Sequence, residues 1–104
     1  MALKIYWTDF AKAELQKIFD YHLLRAGERN TDRLIDGIIQ EVEPLSNQPL
    51  IGQIEELLSH RTETFRYLVH HNYKIVYWFN REKKQVEIVD VFDTRQNPTK
   101  MNRV

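Results

Sequence analysis

Two stretches of this 104-residue sequence bring chemically capable side chains close together. The first is VEIVDVFDTRQNPTK, residues 86–100, where an alternating apolar strand runs out into Asp93, Arg95, Gln96 and Asn97. A guanidinium at a strand end can hold an anion, dock a partner or close on a nearby carboxylate. Asp93 and Asp90 are the carboxylates in reach, so an ion pair with either is the structural alternative for Arg95. Asp90 falls on the strand face of Ile88 and Phe92, where a carboxylate requires a cationic or hydrogen-bonding partner. The second stretch, FRYLVHHNYKIVYWF at 65–79, carries Arg66, Lys74 and the adjacent His70 and His71. The two histidines fall in a turn and can offer a proton, although turn histidines are commonly plain solvated residues. With His60 they imitate a metal set, but neighbours at a strand end point to opposite faces, so no metal site is read. The chain has no cysteine, which excludes disulfides, thiolate nucleophiles and cysteine-bound zinc.

The elements that must position these groups follow from periodicity. Residues 3–7 alternate as a short strand through Leu3, Ile5 and Trp7. Thr8 is an N-cap and Asp9 suits a first helical turn. Ala11, Leu15, Ile18, Phe19 and then His22 or Leu23 recur at helical spacing, up to a C-cap near Gly27. A second helix starts near Asn30 and Thr31, with an apolar stripe through Leu34, Ile35, Ile38, Ile39, Val42 and Leu45, and Pro44 bends or ends it. The short joint implies a helical hairpin. SNQPLIGQ is turn-rich, and IEELLSHRTET carries no assignable period. From Thr64 the period is two: strands at 65–70, 73–79 and 85–92, joined by turns at His71-Asn72 and NREKK. The order is β-α-α-β-β-β, an α+β fold with the hairpin on one face of an antiparallel sheet.

Both sheet faces are apolar. Tyr73, Ile75, Tyr77 and Phe79 share one face, with Val76, Trp78 and Lys74 on the other; Val86, Ile88 and Phe92 oppose Val89 and Val91. A two-helix hairpin covers only one face, so residues 46–64, the C-terminal tail or another chain must cover the second. Trp7 and Trp78 read as core.

The length bounds the chain to one domain, residues 1–104, with a C-terminal tail from about 93. No apolar run nears the about 18 residues of a membrane span, and the N-terminus does not resemble a signal peptide, so a cytoplasmic protein is expected. Residues 1–56 carry six basic and ten acidic side chains; residues 57–104 carry nine and five. The basic half favours an anionic partner, while a pI near 6.9 is too low for a strong nucleic-acid footprint.

Taken in order, Trp7, Thr8, Ala11 and Leu15, then PLIG at 49–52, then Arg66, Leu68 and Val69, then Tyr73, Ile75, Val76 and Tyr77, then Ile88, Val91 and Arg95 resemble the RelE/ParE superfamily of type II toxin–antitoxin toxins. The resemblance spans nearly the whole chain and implies a small α+β toxin neutralised by an antitoxin, in a toxin–antitoxin hetero-oligomer. It implies one of two activities. RelE-like members cleave messenger RNA on the ribosome; on that reading Arg95, Arg66, Lys74, His70 and His71 are the catalytic candidates. ParE-like members resemble an inhibitor of DNA gyrase. The tail QNPTKMNRV lacks the Tyr or His frequent in the nuclease branch, and Val69 stands where that branch often has Arg, so the ParE-like reading leads and the chain leans away from being an enzyme. Arg66, Arg95, Gln96, Asn97 and Lys100 are then candidates for target contact. Tyr73, Tyr77, Val76 and Trp78 are candidates for an antitoxin groove, which would take a helix or an added strand. A non-toxic interaction module with the same fold is the third alternative. No cofactor or metal is implied.

Overall fold

The computed structural model of the chain describes residues 2–96 and Arg103. Five strands form one sheet in the order β1-β5-β4-β3-β2: β1 is Lys4–Trp7, β2 Gln53–Ile54, β3 Phe65–His70, β4 Tyr73–Asn80 and β5 Gln85–Asp93. The meander β3-β4-β5 is antiparallel, as its tight turns require. The sheet as a whole is mixed rather than antiparallel, because β1 pairs with β5 in parallel, Lys4 opposite Gln85 through Trp7 opposite Ile88. The segment without an assignable period supplies β2, which pairs Gln53 with Tyr67 and Ile54 with Arg66.

The helix α1, Asp9–Val42, consists of two arms separated by a single non-helical residue, Gly27, at φ 83° and ψ 168°. Thr8 caps the first arm: its hydroxyl accepts from the Ala11 N–H at 3.2 Å and donates to the Ile88 carbonyl at 3.0 Å. One side chain therefore ties the helix start to the sheet. The expected joint of several residues is absent, because the left-handed backbone open to glycine turns the chain in one step. Just after the break, Thr31 is buried and its hydroxyl donates to the Gly27 carbonyl at 2.8 Å. The arms form the expected hairpin: Leu15 and Phe19 of the first line one groove with Ile35 and Ile39 of the second. Helix α1 stops at Val42, and Pro44 lies in the following 3-10 turn, Glu43–Ser46.

Ala11, Ile38 and Val42 bury against Tyr73, Ile75, Tyr77, Val86, Ile88 and Val91 to make the main core. The expected grouping of β5 side chains changes partway along. A β-bulge places Asp90 opposite Val76 and Ile88 opposite Tyr77, leaving Val89 as the extra residue. The alternation flips there, so Val91 joins the helix-side core and Phe92 the opposite cluster. Ile88, Asp90 and Phe92 thus do not share a face. The second face is covered in part by the chain itself: Leu58, from the 3-10 turn Glu56–Leu58, packs with Phe65, Val76 and Phe92.

Candidate functional site

Strand β5 ends at Asp93, and the two following residues fold back onto it. The Arg95 backbone N–H donates to Asp93 Oδ1 at 2.9 Å, its Nε to the same oxygen at 3.0 Å, and its Nη2 to Oδ2 at 2.8 Å. Asn72, in the β3–β4 turn, donates to Asp93 Oδ1 at 3.1 Å. The Asn72 carbonyl accepts from both the N–H and the hydroxyl of Thr94, each at 2.8 Å. The Arg95 guanidinium holds the Asp93 carboxyl down to about 2. Of the two carboxylates open to Arg95, it takes Asp93, and it remains largely exposed while doing so. Gln96 is exposed beside it. Asn97 and Lys100 lie outside the described residues.

A cavity of about 270 Å³ flanks this strand end, bordered by Tyr21, Tyr73, Asp93, Arg95 and Gln96 among others. The hydroxyl of Tyr73, one of its lining residues, is 2.9 Å from His22 Nε2. Burial, then the Asp93 charge, pushes the Tyr73 phenol up from its ordinary value.

The other cations do not converge on Arg95. Arg66 stands opposite Tyr77, on the helix side of the sheet, and its Nη1 donates to the carbonyls of Leu50 at 3.3 Å and Gly52 at 3.0 Å. Tyr77 grips the same loop: its hydroxyl donates to the Pro49 carbonyl at 2.8 Å and accepts from the Gly52 N–H at 2.9 Å. A Cβ on Gly52 would lie 2.6 Å from that hydroxyl and 2.9 Å from the Tyr67 carbonyl oxygen, so glycine is required there. The PLIG segment and the arginine and tyrosine strands that share the resemblance are thus one packing unit. Lys74 alternates to the opposite face, where its Nζ is 2.9 Å from Glu55 Oε2 and 4.2 Å from the Tyr67 ring centroid. Glu55 is only 4% exposed, so this is a buried pair with an aromatic lid.

His70 pairs with Glu41 at 3.3 Å and presses its ring on Gly37, where a Cβ would lie 2.5 Å from His70 Nε2. His71 has φ 54°, and this turn conformation brings its ring to 4.5 Å from that of His70, edge to face. The strand-end expectation of opposite faces fails because His71 is no longer extended. Among the described residues no group of three or more His, Asp or Glu side chains could hold a metal ion.

Three of the four groove candidates lie inside the protein: Tyr73, Tyr77 and Val76 are 3%, 0% and 0% exposed. Trp78 is partly exposed over the second cluster. Two-faced strands were the basis for placing a groove there, but the hairpin and Leu58 take up those faces. An apolar groove of about 300 Å³ opens instead between the two arms, lined by Trp7, Leu15, Phe19, Ile35 and Ile39, with Lys12 and Gln16 at its rim. Its residues belong to the helical stripes that periodicity identified, but as core. Trp7 packs against the main core, as expected, and leaves part of its surface in this groove. The partner of Asp90 was also missed: it is Arg103, in a tail with no periodic signal. Among the described residues, no helix is long and apolar enough to cross a membrane.

A family model described as the ParE toxin of the type II toxin–antitoxin system parDE matches residues 5–98. Among solved structures, the chain is similar to one from the chromosomal ParDE toxin–antitoxin system of P. aeruginosa, with a TM-score of 0.72 and 19% identity, covering 88% of this chain and 96% of that one. It is also similar to a chain of the toxin–antitoxin complex RelBE2 from Mycobacterium tuberculosis, with a TM-score of 0.62 and 18% identity, covering 89% and 99%. At these identities the likeness is one of fold. No curated protein sequence matches the chain.

Proposed function

The chain belongs to the ParE toxin family of type II toxin–antitoxin systems, and on that premise we propose that it acts in the cytoplasm by binding and inhibiting a target such as DNA gyrase, without cleaving RNA, and that a cognate antitoxin neutralises it. The observation that supports binding over cleavage is the dispersal of the cations. Cleavage by 2′-hydroxyl attack draws a base, a cation and an acid to one phosphate. Arg66 and Lys74 leave the sheet on opposite faces, one spent on loop carbonyls and the other on Glu55. Arg95 is at a third place, closed on Asp93.

The end of β5 is the docking surface on this reading. Arg95 and Gln96 present exposed polar groups in the turn that follows β5, and Asn97 and Lys100 continue it in sequence. The antitoxin arm occupies the groove between the arms of α1. An amphipathic segment with apolar side chains for Trp7, Leu15, Phe19, Ile35 and Ile39, and an acidic one for Lys12, fits that lining.

Induced expression in a bacterial host without antitoxin tests the target. Filamentation with a DNA-damage response and intact translation is expected. Rapid translation arrest with cleaved messages would overturn the binding reading in favour of a nuclease, and normal growth would favour a non-toxic module. Phe19→Asp and Ile39→Asp test the groove: each should weaken rescue by the antitoxin while toxicity persists, and unchanged rescue would remove the groove from the proposal.

A further inference from the structure

Asp90 is fully buried in strand β5, and its partner is a side chain thirteen residues further on. Arg103 Nε donates to Asp90 Oδ2 at 3.1 Å and Nη2 to Oδ1 at 2.9 Å, a two-pronged grip. The same Nη2 lies 2.8 Å from Glu14 Oε1, and the Glu14 side chain is only 9% exposed. The guanidinium carbon is 5.2 Å from the Phe10 ring centroid and 5.4 Å from that of Phe92. Two elements therefore build the enclosure: β5 gives Asp90 and Phe92, and the first arm of α1 gives Phe10 and Glu14.

Each part suits a guanidinium rather than an ammonium. The fork matches a carboxylate edge, and the planar cation tolerates aromatic faces that a hydrated ammonium avoids. Two carboxylates facing one cation leave the enclosure in deficit when that cation is absent. Lys17 reaches Glu14 Oε2 at 2.9 Å, but its side chain is mostly exposed. Burial pushes the Asp90 carboxyl up even with Arg103 in place.

We propose that Asp90, Glu14, Phe10 and Phe92 form a guanidinium-binding socket, that Arg103 occupies it in cis, and that the socket accepts a guanidinium from outside the chain when Arg103 is taken away. An arginine side chain on a partner segment is the chemical class that competes for it. The proposal does not depend on the toxin's target.

Full-length R103A is compared with the parent chain by thermal unfolding, alone and with tens of millimolar methylguanidinium, with methylammonium as the ionic control. Loss of the occupant leaves a buried charge unpaired, and the midpoint is expected to fall by about 10 °C. Methylguanidinium recovers most of that fall and methylammonium almost none. In a D90N background, R103A has little further effect and neither cation helps. A midpoint within about 2 °C of the parent, or equal recovery by both cations, overturns the socket. If R103A does not fold alone, refolding in methylguanidinium only supports the proposal, and refolding in both cations or in neither counts against it. Parent-like behaviour of R103K would also overturn it, because an ammonium cannot reproduce the fork.

Discussion

Tyr77→Phe tests whether the loop at 49–52 is held by the sheet. The substitution leaves the ring in place and removes one oxygen, so no cavity is expected. That oxygen serves two groups: the Gly52 N–H at 2.9 Å and the Pro49 carbonyl at 2.8 Å. Gly52 is buried, so its N–H loses its acceptor without gaining water, which costs about 1–3 kcal/mol. Pro49 is only half-buried, and water can satisfy its carbonyl, so its loss is about 0.5–1 kcal/mol. The sum is about 1.5–4 kcal/mol, or about 6–20 °C in the unfolding midpoint of a domain this size. Arg66 is the cross-strand neighbour of Tyr77 and bonds the same loop, so Arg66→Met and Tyr77→Phe should not add. Once either has freed the loop, the other has less to lose, and a double-mutant cycle reads the difference. A Tyr77→Phe midpoint within about 3 °C of the parent, or strict additivity with Arg66→Met, would refute the account of this loop.

Gly37→Ala should destabilise the chain by forcing the His70 ring away, whereas in a His70→Ala background it should stabilise it by about 0.5–1 kcal/mol, as alanine ordinarily does in a helix; thermal unfolding of the four chains reads the change of sign. Gly27→Ala should cost about 1–3 kcal/mol in chemical unfolding, from backbone strain alone, because φ is 83° with ψ 168° and nothing lies within 4 Å of the added Cβ. The Arg95 guanidinium holds the folded Asp93 carboxyl down to about 2, below its ordinary 3.8. Its stabilisation is therefore complete above about pH 4 and lost as pH falls from there through 2. Carbon-detected NMR should show that low titration, and Asp93→Asn should remove this part of the acid sensitivity.

The elements that were legible in the sequence are those whose periodicity is local. Thr8 read as a cap and is one; β3, β4 and β5 fall where the alternation placed them, and the hairpin follows from two apolar stripes. Misreadings came where one residue changes the geometry. Gly27 replaces a loop with a single turn of the backbone. The bulge at Val89 reverses the faces of every later β5 residue, which is why Phe92 and Val91 were exchanged. The parallel pairing of β1 depends on the whole path through α1, and nothing in residues 4–7 encodes it. The candidate site was legible in part. Arg95 and Asp93 could be paired from their spacing, but the groove between the arms requires knowing how closely the arms approach. Asp90 announced the need for a partner without naming it.

Charge shows the same gap between composition and surface. The second half of the sequence carries nine basic residues against five acidic ones, and that excess was the reason to expect an acidic partner along it. In the structure four of those cations already hold structural positions: Arg66 on loop carbonyls, Lys74 on Glu55, Arg95 on Asp93, and Arg103 on Asp90 and Glu14. The three closed on carboxylates, Lys74, Arg95 and Arg103, contribute little net field to an approaching partner, because each pair is seen as a dipole. Exposed charge at the β4–β5 turn is positive on balance, with Arg81, Lys83 and Lys84 against Glu82. An acidic partner steered by charge would therefore approach that turn first. The groove between the arms, with Lys12 the one charged residue among those that line it, selects mainly by apolar fit. Charge reversal at Arg81, Lys83 and Lys84 should accordingly slow antitoxin association and weaken its salt dependence, while Phe19→Asp should speed dissociation. Stopped-flow association and dissociation rates separate the two, and a triple reversal that left the association rate unchanged would remove the turn from the encounter.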